Sequence, residues 1–197
     1  ELLEQKLHSP FRAIAARANY LSVDRPETQY AAKECCRWMS APTSTAMAGL
    51  KRLGTYLEGQ CRLVVKYPWQ TATGLEGYSD TDWAGCVRTR KSTSGGCLML
   101  GSHVLKTWSA TQASIALSSG EAEYYSAVKA ASVALSIQAM ATDWGMNISI
   151  RVHTDSSAAK GICGRIGLGK LRHIEVRFLW LQDAVRSGRI ILKKVAG

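Results

Sequence analysis

The 197 residues carry a formal net charge of +10, with 46% hydrophobic and 20% charged residues. That balance excludes a disordered chain, and the length predicts one sizeable core with a smaller appendage. No run reaches the roughly 18 apolar residues of a membrane-spanning helix, whereas the basic excess favours polyanionic partners through counterion release.

Residues 1–66 form a first segment that reads as helical over 1–59. Phe11, Ile14, Ala15, Ala18 and Leu21 recur at three- and four-residue steps, and Asp24-Arg25-Pro26-Glu27 marks a stop and a new start. A second helix is expected over about 27–39. A third is expected over about 44–57, with Met47, Leu50, Leu53 and Leu57 on one face and Lys51 and Arg52 opposite. Arg62 to Lys66 reads as a short strand, and 67–73 as a linker. From Gly74 the texture changes to short strands separated by glycines. Strands are expected over 75–83, 95–100 and 104–108, with Gly101-Ser102 as a tight hairpin turn and Arg88 to Ser94 as a basic turn. An Ala-rich helix follows, opened by Ser118 with Glu121 three residues on and running to about Trp144. Then come a strand over 148–154, a short helix over 156–163, a helix over 171–186 and a last strand over 190–195. This order of elements predicts an α/β (α+β) mixed sheet with helices on its faces.

Six cysteines, at 35, 36, 61, 86, 97 and 163, show no C-x-x-C pair and no His at zinc spacing. They read as reduced thiols of an intracellular protein, not a secreted one. The chain starts without Met and stops just after an apolar run, which reads as a piece of something longer.

Three acidic stretches stand out. Asp80 and Asp82 share one face at the end of a strand, Glu123 sits one turn into its helix, and Asp155 directly follows its strand. Burying several like charges together is costly unless cations or protons neutralise them. Hard carboxylate oxygens suit Mg²⁺, with Mn²⁺ as the alternative. Two such ions, about 3.5–4 Å apart, can activate a water on one side of a phosphodiester and stabilise the leaving oxygen on the other.

Four motifs then carry a resemblance: Gly77 to Gly85, Arg90 to Gly95, Ala116-Leu117-Ser118-Ser119-Gly120-Glu121-Ala122-Glu123-Tyr124, and Arg172-His173-Ile174-Glu175-Val176-Arg177. In this order they resemble the ribonuclease H domain of copia-type LTR retrotransposon Pol polyproteins. Tyr20-Leu21, Arg25-Pro26, Tyr30-Ala31, Met39-Ser40, Pro42, Leu50 to Leu53, Tyr56-Leu57 and Gly59 are similar to the tail of the preceding reverse transcriptase. The resemblance implies a ribonuclease H-like fold of about five strands over 74–197, truncated before its last helix, behind a helical reverse-transcriptase tail. It implies a metal-dependent endonuclease that cuts the RNA strand of RNA–DNA hybrids, with the reverse transcriptase as polyprotein partner and the cytoplasm or a virus-like particle as its place. Asp80, Glu123 and Asp155 match the family's first three metal-binding acids, and the family's fourth Asp has no counterpart in these 197 residues. A noncatalytic, truncated or decayed nucleic-acid-binding module of the same fold is the alternative.

Other candidates carry two readings each. Asp82 is a ligand or a turn residue capping the amides of Ala84 or Gly85, and Glu121 a ligand or a capping-box acid. His153 and His173 are catalytic or only structural. Glu175 and Asp183 are substitutes for the fourth acid or plain helix residues. Arg88, Arg90 and Lys91 form a solvated turn or a phosphate contact. Trp83, Trp108, Trp144 and Trp180 are core residues or base-stacking platforms.

Overall fold

Apolar residues three and four apart gather the first segment into helices α1 (Gln5–Leu21), α2 (Gln29–Cys36) and α3 (Ser44–Gly59) in the computed structural model, which describes residues 1–169 and 172–196. Their buried stripes, Phe11, Ala15 and Ala18 with Ala32, Cys35, Ala46, Leu50 and Leu53, form one core. Thr43 caps α3 by accepting the Ala46 amide at 3.1 Å. Two expectations shift here. The second helix ends at Cys36 after a 3₁₀ turn at Pro26–Thr28, and residues 62–66 adopt no strand.

The chain divides into two compact units, Glu1–Lys66 and Tyr67–Gly197. Residues 67–73, read from sequence as a linker, are tied to the second unit. Gln70 donates to the Leu100 carbonyl at 2.7 Å and accepts the Ser102 amide at 2.9 Å, and His103 Nε2 lies 2.8 Å from the Pro68 carbonyl.

The second unit holds β1 (Gly74–Asp82), β2 (Thr93–Leu100), β3 (His103–Thr111), α4 (Ser119–Asp143), β4 (Ser149–Thr154), α5 (Ser157–Cys163), α6 (Trp180–Arg186) and β5 (Ile191–Lys194). The sheet order is β3-β2-β1-β4-β5. β1, β2 and β3 are antiparallel, while β4 runs parallel to β1 and β5 parallel to β4. The helix expected over 171–186 is broken. Leu171 lies outside the described residues, a 3₁₀ turn occupies Val176–Phe178, and α6 starts only at Trp180.

Strand alternation decides the faces. Leu75 and Ser79 of β1, with Ile150 and Val152 of β4, are buried in the unit's core with Ala122, Ala127, Ala130, Ala131 and Ala134 of α4. Small residues let the helix lie close to the strands. Fully burying Leu75, Ile150 and Val152 contributes about 1.5–3 kcal/mol each. At the helix start the fit to α5 is tighter still, since a Cβ on Gly120 would fall 2.6 Å from Ala158 Cβ. Trp108 is core as expected, but Trp83 and Trp144 are exposed.

Candidate metal centre

The opposite face of β1 and β4 carries a polar row. Glu76 pairs with Arg151 and Tyr78 with His153 in the parallel register. Continuing that register by two residues places Asp80 level with Asp155, at the carboxyl end of β4. Glu123 joins them from the first turns of α4. Ligand oxygens of Asp80, Glu123 and Asp155 all lie within 4.8 Å of one another. The three acids of the sequence motifs thus meet in one place although 75 residues of chain separate the first from the last.

Two hydrogen bonds stitch β1 to α4 on either side of Glu123. The Thr81 hydroxyl donates to the Ala122 carbonyl at 3.2 Å, and the Ser126 hydroxyl to the Asp80 carbonyl at 3.0 Å. Glu123 is buried while Asp80 and Asp155 are exposed. Burial above all, then the charges of Asp80 and Asp155, push the Glu123 carboxyl up to about 7, against a Thr81 backbone hydrogen bond that lowers it. Among the described residues its Oε2 is buried without a hydrogen-bond partner. A buried, partnerless carboxylate oxygen beside two further carboxylates is a donor set that fits a hard divalent cation.

Asp82 stands apart from this cluster. Its carboxylate lies over the turn, where a Cβ on Gly85 would come 1.7 Å from Oδ2. The Ala84 amide goes to Ser92 Oγ at 3.0 Å, so the expected cap on that amide comes from Ser92. The basic turn is held by Arg90 N–H to the Cys86 carbonyl at 2.7 Å and by Ala84 and Arg90 at φ 54 and 55. Left-handed backbone at two non-glycine residues fixes the path of Arg88, Arg90 and Lys91 directly after the strand that bears Asp80.

Glu121 is wholly buried. It accepts the Leu117 amide at 3.0 Å and the Tyr125 hydroxyl at 2.9 Å, and its own amide goes to Ser118 Oγ at 3.2 Å. That arrangement satisfies helix-start donors as a capping box does. His173 Nε2 also meets Glu121 Oε2, at 2.8 Å. Glu175 and Asp183 lie outside the carboxylate cluster, each exposed and paired on its own segment, with Arg177 and Arg186. His153 Nε2 lies 2.5 Å from Glu76 Oε2, and its ring stacks on Tyr78 with centroids 4.5 Å apart.

Glu76 is the residue that sequence reasoning missed. It also accepts Arg151 Nη1 at 2.6 Å. Burial pushes its carboxyl up, but the bonds from His153 and Arg151 outweigh that and hold it below the usual carboxylate range. Its position on the open face was readable from strand alternation, whereas its partners, 75 and 77 residues away, were not.

Three antiparallel strands continued by two parallel ones, with clustered acids on β1, α4 and the end of β4, define a ribonuclease H-like module. The homologues of this chain are retrovirus-related Pol polyproteins of copia-like transposons. It is 29% identical over 190 residues to the Pol polyprotein from transposon RE1 of Arabidopsis thaliana, and 30% identical over 190 residues to that from transposon RE2 of the same plant. Each match covers 94% of this chain and 13% of the relative, so the chain spans about an eighth of these polyproteins. No family model matches. Among solved structures, LC11-RNase H1, isolated from compost, superposes at a TM-score of 0.42 with 14% identity, over 63% of this chain and 85% of that one. No helix among the described residues is long and apolar enough to cross a membrane.

Proposed function

We propose that this chain carries a metal-dependent endonuclease that cuts the RNA strand of RNA–DNA hybrids and serves the reverse transcriptase of the same polyprotein. The observation that carries the reading is the convergence of Asp80, Glu123 and Asp155 within 4.8 Å. Divalent ions, Mg²⁺ or Mn²⁺, when held there, supply activation of the attacking water and stabilisation of the leaving oxygen. Asp80 and Asp155 reach the site from adjacent strand ends on a rigid sheet, which fixes their spacing. Glu123 closes it from the helix side. The water oxygen bonds to phosphorus, the bond to the 3′-oxygen breaks, and the products are a 5′-phosphate and a 3′-hydroxyl. We assign contacts with backbone phosphates to Arg88, Arg90 and Lys91, on the turn that leaves β1, a role that the net charge of +10 supports. Selectivity for a hybrid would come from contacts to 2′-hydroxyls on one strand and to the deoxyribose backbone of the other.

The test is cleavage of an end-labelled hybrid in Mg²⁺ by the native chain and by Asp80→Asn. Cleavage by the native chain and its loss in the variant support the reading, and equal cleavage by both rejects the site. Salt-dependent hybrid binding with no cleavage in Mg²⁺ or Mn²⁺ would replace it with a noncatalytic binding module.

A further inference from the structure

We infer that His173 is a positioning residue for the metal centre, acting through Glu121 on the helix turn that carries Glu123; the inference rests on the metal-centre reading above. Among the described residues Glu121 has three donors, of which Leu117 N and Tyr125 OH are four residues away in sequence and can only shape the helix start. His173 Nε2, 52 residues on, is the donor that ties this turn to another part of the fold. A carboxylate only accepts, so the ring nitrogen donates.

The tie is not isolated. The Tyr124 hydroxyl donates to the Phe178 carbonyl at 2.6 Å, and the Tyr125 and Phe178 rings lie 4.7 Å apart. Ile174, next to His173, is buried in the same core as Ala122 and Tyr124. Residues 173–178 are therefore fastened to α4 at positions 121, 124 and 125, on both sides of Glu123. On the other flank, Thr81 and Ser126 fasten the helix to β1 at 122 and 126. The turn bearing Glu123 is held from two directions, by β1 on one side and by the segment after Arg172 on the other.

Glu123 needs that support. Among the described residues its Oε2 has no hydrogen-bond partner, and the backbone hydrogen bond on its carboxyl comes from Thr81 of β1, so its aim toward Asp80 and Asp155 also depends on where the helix backbone is held. Ligand groups work when their supporting contacts fix them to within about 0.5 Å. The side chain of His173 is 41% exposed, whereas that of Glu121 is fully buried. The link thus runs from a surface residue through a buried carboxylate to the metal-ligand turn. It accounts for Glu121 and for the Arg172 to Arg177 motif, neither of which the three-acid cluster uses.

The test measures Mn²⁺ binding by titration calorimetry, without substrate, for the native chain, His173→Leu, His173→Gln and Asp80→Asn, each checked for folding by thermal melting. His173→Leu is expected to weaken Mn²⁺ binding about tenfold, the scale of outer-sphere support lost around metal ligands. His173→Gln, which keeps an N–H donor, is expected to recover most of that loss. Native affinity in a folded His173→Leu protein overturns the inference, as does equal loss in the Leu and Gln variants. If His173→Leu does not fold, His173→Gln alone decides, and a loss as large as that of Asp80→Asn rejects the donor role. Unchanged Mn²⁺ binding in Asp80→Asn would instead reject the metal centre itself.

Discussion

The ring of His153 stacks on Tyr78 at 4.5 Å with the planes 10° apart, and the two residues are direct partners across β4 and β1. One step further along the same face stand Asp80 and Asp155. The stacked pair, with Glu76 bonding both His153 and Arg151, is the floor on which the two aspartates are set.

Removing His153 should therefore loosen the sheet before it touches any chemistry. His153→Ala takes away a ring stack and a hydrogen bond to a carboxylate, a loss of about 1–3 kcal/mol. Urea unfolding followed by tryptophan fluorescence should show a lower midpoint with an unchanged slope. An unaltered midpoint would mean that the stack adds nothing to β1–β4 pairing.

The three carboxylates repel one another, so neutralising one should stabilise the metal-free protein. Asp80→Asn is expected to melt at a higher temperature than the native chain in chelator-treated buffer. Adding Mg²⁺ should raise the melting temperature of the native chain and leave that of the variant nearly fixed, because a ligand that binds only the folded state stabilises it. A Mg²⁺ response of equal size in both would remove Asp80 from the ligand set.

Glu123 makes metal-free stability depend on pH in a defined direction. Its carboxyl is raised from 4.5 to about 7 by burial, then by Asp80 and Asp155. Between these values the folded state holds a proton that the unfolded state has released. Stability from this group is thus full below about 4.5, falls as pH rises toward about 7, and levels off above it. Glu123→Gln, which cannot ionise, should flatten that stretch of the profile when urea midpoints are measured in chelator from pH 4 to 8. An unchanged slope would show that the Glu123 carboxyl titrates normally.

The seam between α4 and α5 leaves no room for a methyl group at Gly120, where an added Cβ would come within 2.6 Å of Ala158 Cβ. Gly120→Ala should destabilise the protein by about 1–3 kcal/mol through overpacking. Ala158→Gly in the same chain should restore part of the loss. Because Gly120 lies three residues before Glu123, hybrid cleavage should fall with the strain and recover with the second change.

The sequence by itself determined much of this protein. Helical spacing in residues 1–57, alternation in β1 and β4, and the capping pattern at Ser118 and Glu121 are local effects of backbone geometry, so each was legible without a partner. The three acidic stretches, with the family resemblance, likewise singled out Asp80, Glu123 and Asp155 before any of them had a neighbour. Where the reading failed, a local signal met a tertiary competitor. Residues 67–73 bear no periodic pattern, so the bonds that Gln70 and Pro68 make to the β2–β3 turn left no mark in the sequence. Trp83 and Trp144 looked like core, but they fall on turns beyond the end of an element and stay exposed. Of the two amides that Asp82 was expected to cap, that of Ala84 turned to Ser92, while the Asp82 carboxylate lies beside Gly85.

Only the tertiary structure decided which charges meet. Parallel pairing of β1 with β4 brings the strand ends that carry Asp80 and Asp155 together, and sets Glu76 against Arg151 and His153, across gaps of some 75 residues that no periodicity encodes. The same packing sorts the two glutamates of the α4 motif, whose types and spacing look alike in the chain. It surrounds the Glu121 carboxylate with donors, His173 among them, and leaves Glu123 with an oxygen that has no partner among the described residues, facing two aspartates. A side chain's chemistry depends on its burial and on the charges around it, and those are set by the fold.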